Sequence, residues 1–486
     1  MKNLTPEEIR RAVRGRWRWP AKAVTVEGVS TDSRTARPGE VFVALRGDRF
    51  DGHDFLRQAA AAGCVAAVVD GSVPLEQDVL KAFAGGVVGV PDTTAALGRL
   101  GQHCRNHFAA SVIAVTGSNG KTTVKRMIHH VLSRRLRGRP APGSFNNAVG
   151  VPLTLFSVAP EDDYVVCEMG ASAPGEIAWL ARVAGPDVAV ITSVAEAHLE
   201  GLIDIKHVAA EKAALLGELS PTGTAVVWAD SQPLERAVRG YECRKIRFGE
   251  SDSADLRLTR YQPGNGGGRF QVNGRLWVEL AVPGRHNALN ALAAIAVAQR
   301  FGFDQAEAAA ALAGYVGQEM RLQRVDAGPV TVINDAYNAN PASLAAAVDA
   351  LASFSGKRRV VVAGDMLELG PRSVELHRQA GRALAAAGVE MVVGVGELGR
   401  HIAAAAAEAG GPDVQEIPSV QKAARALPQL LRRGDLVLLK GSRRVAMERL
   451  VEPIRAAFQR RARPRAAPRR AKAPRPAARR RKGRTC

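Results

Sequence analysis

The sequence predicts an α/β protein of three domains, and three observations carry that reading. At 486 residues the chain is too long for one hydrophobic core. Over most of its length short apolar runs alternate with helical stretches, as in parallel sheets. And from Ser111 to Thr123 a buried strand, a glycine turn and a helix start coincide. The expected units are a small N-terminal α/β domain over 1–108 and a central parallel-sheet domain over 109–314, built on a P-loop-like turn. A C-terminal doubly wound, Rossmann-like domain over 315–458 and a basic tail over 459–486 follow.

Residues 1–108 contain two strand-like runs, Val41 to Leu45 and Val65 to Val69, around a helical stretch from Asp54 to Ala62. Their loops are polar: Ser30-Thr31-Asp32-Ser33-Arg34 and the segment from Arg46 to His53. Hydroxyls, amides and guanidinium groups beside a strand end suit an anionic sugar nucleotide. Taken alone, either loop is explained more simply as a cap and a turn.

In the central section Val112 to Val115 suits a buried parallel strand, Thr116 to Gly120 a tight turn, and Val124 to Leu136 a helix. Such a turn aims backbone N–H groups and a helix N-terminus at one point, a cradle for a polyphosphate. Lys121 adds a positive charge and Thr122 a hydroxyl for Mg²⁺. The general phosphate-loop pattern fails by one residue, because Val115 stands where a glycine is required. Two further strands, ending at Glu168 and Thr192, bring polar residues to the sheet rim where ligands of such sheets gather. Glu168 is placed there for a metal, and His198 could add a neutral imidazole, although Mg²⁺ prefers oxygen. Lys212 reads by default as a solvated helix residue. Asn287 opens another helix and is explained by capping as well as by contact with an adenine edge. Tyr261 to Gly274 reads as a peripheral hairpin.

The third section has strands at Val330 to Ile333, Val360 to Ala363, Met391 to Gly394 and Leu436 to Leu439. Three strand-end loops are polar: Asn334 to Pro341, Gly364 to Gly370, and Lys440 to Arg443. No G-x-G-x-x-G follows its first strand, which argues against NAD.

Composition narrows the class. With 46% hydrophobic and 23% charged residues the chain is globular, and no apolar run reaches the ~20 residues of a membrane span. The N-terminus has no signal-type apolar core, so a cytoplasmic address is the default. Five scattered cysteines without a C-x-x-C pair suggest neither a disulfide framework nor a zinc site. Of the net charge of +20, thirteen Lys or Arg and no acid lie between Arg460 and Cys486, leaving about +7 for the rest. That Arg/Pro/Ala tail is expected to be disordered. It lacks aromatics for base stacking, and its prolines prevent a long amphipathic helix. Loose, salt-sensitive association with anionic lipid or RNA is expected of it at most, with no specific nucleic-acid recognition.

Thr116 to Thr123, Phe145-Asn146-Asn147, Glu168-Met169-Gly170, Ala197 to Gly201, His286-Asn287, Asp335 to Pro341 and Gly364 to Gly370 occur in one order. In these motifs the chain resembles the Mur ligases over about residues 25–455, and among them the branch that adds a D-alanyl dipeptide. Their folylpolyglutamate synthetase relatives share the phosphate loop. The resemblance implies an ATP- and Mg²⁺-dependent ligase, acting as a monomer, that joins D-alanyl-D-alanine to UDP-N-acetylmuramoyl-tripeptide in peptidoglycan precursor synthesis. It implies ATP contacts from Gly117, Ser118, Asn119, Gly120, Lys121, Thr122 and Thr123. His286, Asn287 and Asn290 would lie near adenine, Asp335 at the ribose, and Arg321 would reach the phosphates across the domain junction. Lys212 would be carbamylated by CO₂ and hold Mg²⁺ with Glu168 and His198, while Thr122 binds a Mg²⁺ at the phosphates. Catalysis would rest on Lys121, Glu168, His198 and Lys212. Ser33 and Arg34 would hold the uridine end, Asn146, Asn147 and Thr154 would lie nearer the muramoyl peptide, and Tyr337, Asn338 and Asn340 would add substrate contacts. The family usually has Asn where Ser193 stands, and the basic tail is not part of its pattern.

Overall fold

A computed structural model describes residues 3–462, leaving out 48 and 357, and contains three sheets, each with its own helices. The tail expected to be disordered from 459 on begins instead as the end of the helix Val451–Ala462, and its remainder, 463–486, lies outside the described residues. The first sheet has five strands in the order Arg16–Trp19, Val87–Val90, Ala66–Asp70, Glu40–Val43 and Gly28–Ser30. All are parallel except the first. The 13-residue helix Thr93–Arg105, capped by Asp92, packs Leu97 and Leu100 beneath it.

The central sheet has nine strands. From one edge they run Gly138–Pro140, Tyr164–Glu168, Ser111–Thr116, Val188–Ile191, Thr224–Trp228, Arg244–Gly249 and Leu256–Gly264, all parallel. Gly267–Val272 and Leu276–Leu280 then add an antiparallel meander, so the hairpin expected near Tyr261 to Gly274 is present. Because Ser111–Thr116 lies between Tyr164–Glu168 and Val188–Ile191, the turn after Thr116, the carboxylate of Glu168 and the loop after Ile191 share one rim.

The third sheet runs Gln323–Ala327, Val330–Asn334, Asp435–Lys440, Arg358–Gly364, Met391–Val395 and Asp413–Ile417, parallel except for its first strand. The neighbouring ends of Val330–Asn334 and Asp435–Lys440 put the loops beginning at Asp335 and Lys440 side by side. One apolar cluster contains Val112 and Leu180 of the central domain together with Ile333 and Leu344 of the third, so the two domains share buried surface. Among the described residues no helix is long and apolar enough to cross a membrane.

Candidate active site

The turn after Thr116 has its shape because of two glycines. Gly117 sits at φ 146°, and a Cβ there would come within 2.1 Å of Thr192 Oγ1; Gly120 sits at φ 82°, and its Cβ would meet Asn290 Oδ1 at 2.4 Å. A side chain at Gly117 would collide with Thr192, which braces the loop, and one at Gly120 with Asn290 of the helix Arg285–Arg300. Thr192 Oγ1 donates to Asn119 O at 2.5 Å. Ser193 Oγ accepts from Asn119 N–H at 2.8 Å and donates to Asn119 O at 3.1 Å, and Ser118 N–H donates to Ser193 O. The serine that replaces the family asparagine therefore grips the loop backbone directly. The helix Lys121–Leu132 starts straight from Gly120, and Lys121 Nζ curls back to donate to Gly117 O at 2.7 Å. Burial holds the Lys121 ammonium below its ordinary pKa against the pull of Glu168.

A cleft of about 730 Å³ opens over this loop, lined from the central domain by Lys121, Thr122, Glu168, His198, His286 and Asn290, and from the third by Arg321, Asp335, Tyr337 and Lys440. Arg321 Nη2 donates to Thr122 Oγ1 at 3.0 Å, and its guanidinium lies 4.2 Å from the centre of the Tyr337 ring. Asn119 and Asn340 exchange side-chain hydrogen bonds of 2.9 and 3.3 Å across the junction. Asp335 accepts from Leu322 N–H at 3.0 Å and pairs with Lys440 at 2.5 Å; Lys440 also donates to Asn338 O. Burial pushes the His286 imidazole down to about 4, so it is neutral near pH 7. Asn287 is not the helix cap. The cap position is Gly284, which makes no side-chain bond, and Asn287 Nδ2 donates to Pro283 O while its Oδ1 accepts from Asn290. The capping reading fails because the chain enters this helix one turn earlier, leaving Asn287 buried beside the cleft.

Glu168 is 1% exposed. Its Oε1 accepts from Asn146 Nδ2 at 3.1 Å and its Oε2 lies 2.9 Å from Lys125 Nζ, which also donates to Gly143 O. Burial raises this carboxyl, but the charges of Lys125 and then Lys121 outweigh it and leave the group below its ordinary pKa. Lys212 is also 1% exposed, and among the described residues its ammonium has no hydrogen bond or ion pair. Burial first, and the Lys121 charge second, push it down to about 7. The expectation of a solvated Lys212 is thus overturned, because the helix Ile205–Ala213 turns this residue into the core. His198, in the left-handed region at φ 57°, faces Glu368 Oε2 through Nδ1 at 2.6 Å. Around that pair Glu200 N–H donates to Glu368 O, and Arg372 pairs with Glu196.

Residues expected in the first domain do not reach this cleft. Ser33 Oγ donates to Gln58, and the exposed Arg34 folds back on Asp32. Thr154 is buried with its hydroxyl bonded to Gly150 O, one helical turn away. Asn146 and Asn147 do line the cleft. Among the described residues no three His, Cys, Asp or Glu side chains form a metal cluster. Sequence reasoning passed over Lys125, and it singled out the loops of Glu368 and Lys440 without giving either residue a role. For Lys125 a signal existed, since it follows Lys121 by four residues and so shares its helix face.

The loop that holds Glu368 is anchored from below. His377 is fully buried, its Nε2 accepts from Met366 N–H at 2.9 Å, and its Nδ1 donates to Ser373 O. Burial holds its pKa below the ordinary value. The unfolded chain therefore takes up that proton first, near pH 6.5, and stability should fall as pH drops below that point by at most about 1.4 kcal/mol per unit. Urea unfolding at pH 7.5 and 5.5 checks this, and His377→Gln should reduce the difference without abolishing it, because burial lowers His286 as well.

Models of known families match three successive segments: Mur ligase family, catalytic domain, at residues 25–105; Mur ligase middle domain at 115–298; and Mur ligase, glutamate ligase domain, at 320–443. Over 459 residues the chain is 35% identical to the UDP-N-acetylmuramoyl-tripeptide–D-alanyl-D-alanine ligase of Bacillus subtilis, covering 93% of this chain and 98% of that one. This chain belongs to the Mur ligase family. The same ligase of Escherichia coli is 37% identical over 439 residues, 89% of this Mur ligase and 94% of that protein. A crystal structure of MurF from Acinetobacter baumannii superposes with a TM-score of 0.85 at 31% identity, covering 94% of this Mur ligase and 99% of that chain.

Proposed function

We propose that this Mur ligase joins the amine of D-alanyl-D-alanine to the terminal carboxylate of UDP-N-acetylmuramoyl-tripeptide, converting ATP to ADP and phosphate. The observation that carries the reading is the full-length similarity to such ligases in a chain whose phosphate loop, Glu168, Arg321 and Asp335 surround one cleft. With ATP and a UDP-linked peptide as substrates, we place the reaction in the cytoplasm.

A free carboxylate is a poor electrophile, so it must first be activated. Its oxygen attacks the γ-phosphorus, the bond to the β-phosphate oxygen breaks, and ADP leaves. The neutral amine then attacks the acyl carbon, the carbon–oxygen bond to phosphate breaks, and the nitrogen sheds a proton as the amide forms. Lys121 and Arg321 supply positive charge where the phosphates would lie, and the loop from Gly117 to Thr123 supplies backbone N–H groups. His286, Asn287 and Asn290 would receive the adenine and Asp335 the ribose. We assign Ser33 and Arg34 to the uridine end, Asn146, Asn147 and Thr154 to the muramoyl-peptide side, and Tyr337, Asn338 and Asn340 to the substrates at the junction.

The donor set suits Mg²⁺. Glu168 is a buried carboxylate on the rim of the cleft, its Oε2 paired with Lys125 at 2.9 Å, and Thr122 offers a hydroxyl on the same cleft. Bound there, Mg²⁺ would screen the repulsion between carboxylate and triphosphate. Thr122 would hold it at the phosphates, and Glu168, His198 and a carbamate on Lys212 would hold a second ion. An amine with a pKa of about 7 is about half unprotonated near neutrality, so Lys212 Nζ can attack CO₂, lose a proton and become a carbamate anion.

Purified protein should release phosphate only when ATP, the UDP-tripeptide and D-alanyl-D-alanine are all present. Equal turnover with glutamate and a folate would sink the assignment in favour of a folylpolyglutamate-type ligase.

A further inference from the structure

Away from the cleft, a half-buried and an exposed imidazole face each other in the first domain. His103 lies in the last turn of the helix Thr93–Arg105 and His107 follows four residues on, so the two share a face. Their ring centres are 4.4 Å apart. His107 Nδ1 donates to His103 O at 2.7 Å, which leaves the lone pair of the neutral ring on Nε2. His103 Nε2 is buried and has no hydrogen-bond partner among the described residues. Burial first, and the charge of His107 second, hold the His103 imidazole below its ordinary pKa, so it is neutral near pH 7. The helix Pro6–Val13 shares a core with this one through Ile9, Leu100 and Cys104, and the charge of its Glu8 carboxylate acts on both rings.

We propose that His103 and His107 chelate one divalent transition-metal ion of the zinc class through their Nε2 atoms, with the Glu8 carboxylate as the neighbouring anion. The site lies outside the cleft and does not depend on the ligase reading. Neutral imidazoles a helical turn apart suit such ions, and a ligating histidine commonly gives its other N–H to a backbone carbonyl, as His107 does. Nitrogens bound to one tetrahedral ion at about 2.0–2.1 Å lie about 3.3 Å apart, within reach of rings at this spacing. The ion would offset the desolvation of His103 Nε2, which no protein group among the described residues does. Water would fill the remaining positions, since no third His, Cys, Asp or Glu completes a cluster among the described residues. Mg²⁺, which takes oxygen ligands, would leave the site to softer ions. With its ligands on one helix and its counter-anion on the next, the bound ion would draw the two helices together.

The test titrates Zn²⁺ by calorimetry into the untagged full chain, stripped of bound transition metal and held in saturating Mg²⁺. It compares wild type, His103→Gln, His107→Gln and a control, His207→Gln, whose imidazole pairs with Asp204 on a different helix. Wild type and His207→Gln should take up the ion alike. The other two variants should each lose one equivalent, or bind it at least about 10- to 100-fold more weakly, the loss known for an outer partner of a metal ligand. Zn²⁺ should raise the thermal midpoint of wild type more than that of those two variants. One equivalent of Cu²⁺, the ion such donors hold most tightly, should show nitrogen hyperfine structure in the electron paramagnetic resonance spectrum of wild type, a readout that needs no variant to fold. Unchanged Zn²⁺ uptake by His103→Gln and His107→Gln would put the metal elsewhere and overturn the site. So would a Cu²⁺ spectrum without nitrogen coupling.

Discussion

Lys212→Ala should lower ligation by about 10²–10³ or more in kcat, the scale of losing one preorganised electrostatic group, and should leave the protein folded. The side chain is almost wholly buried and its ammonium has no partner among the described residues, so as a cation it adds nothing to the fold. Its neighbour Glu211 carries the structural load by accepting from Gly175 N–H at 2.8 Å and Ile177 N–H at 2.7 Å, and the substitution leaves those bonds intact. Acetate or another short carboxylic acid should restore part of the turnover by lying where the carbamate lay. Wild-type activity should fall in bicarbonate-free buffer and return when bicarbonate is added. Near-normal phosphate release by Lys212→Ala without bicarbonate would show that no carbamate is needed.

Little of this position could be read along the chain. The phosphate loop was legible because its three signals, apolar strand, glycine turn and helix start, are contiguous from Ser111 to Thr123. Glu168 followed from the rule that ligands gather at strand ends. Lys212 was not legible from spacing, because one helical turn decides whether a lysine faces water or the core, and Ile205–Ala213 has little amphipathic contrast. The pairs Asn119–Asn340 and His198–Glu368 join residues 221 and 170 positions apart, beyond any local pattern. The edge strand Gln323–Ala327 escaped because Arg324 and Asp326 give it no apolar run. Resemblance to a family supplied roles that physics alone did not assign, and for Ser33, Arg34 and Thr154 those roles remain outside the cleft that the fold brings together.

Lys125→Met is expected to cost about 3–5 kcal/mol of unfolding free energy, the range for removing one partner of a buried ion pair. Lys125 is completely buried, touches Glu168 Oε2 at 2.9 Å and ties down Gly143 O in the loop that leads to Asn146. Without it Glu168 keeps the amide of Asn146 and the charge of Lys121 but loses its contact ion pair in the core. Adding Glu168→Gln should return much of the loss, because the neutral amide no longer needs the ammonium; the double-variant cycle measured by urea unfolding gives the coupling. A loss under about 1 kcal/mol for Lys125→Met would mean that the pair is solvated or that the site relaxes around it.

The reciprocal bonds between Asn119 and Asn340 bear on the order of events in turnover. Asn119 belongs to the phosphate loop and Asn340 caps the helix Pro341–Ala350 of the third domain, so the two bonds tie the loop to the third domain. A nucleotide seated in that loop is walled in by the third domain for as long as they hold. Opening of this amide pair is then expected to precede departure of a nucleotide from the loop, so that Asn340→Ala should speed the release of a bound nucleoside diphosphate.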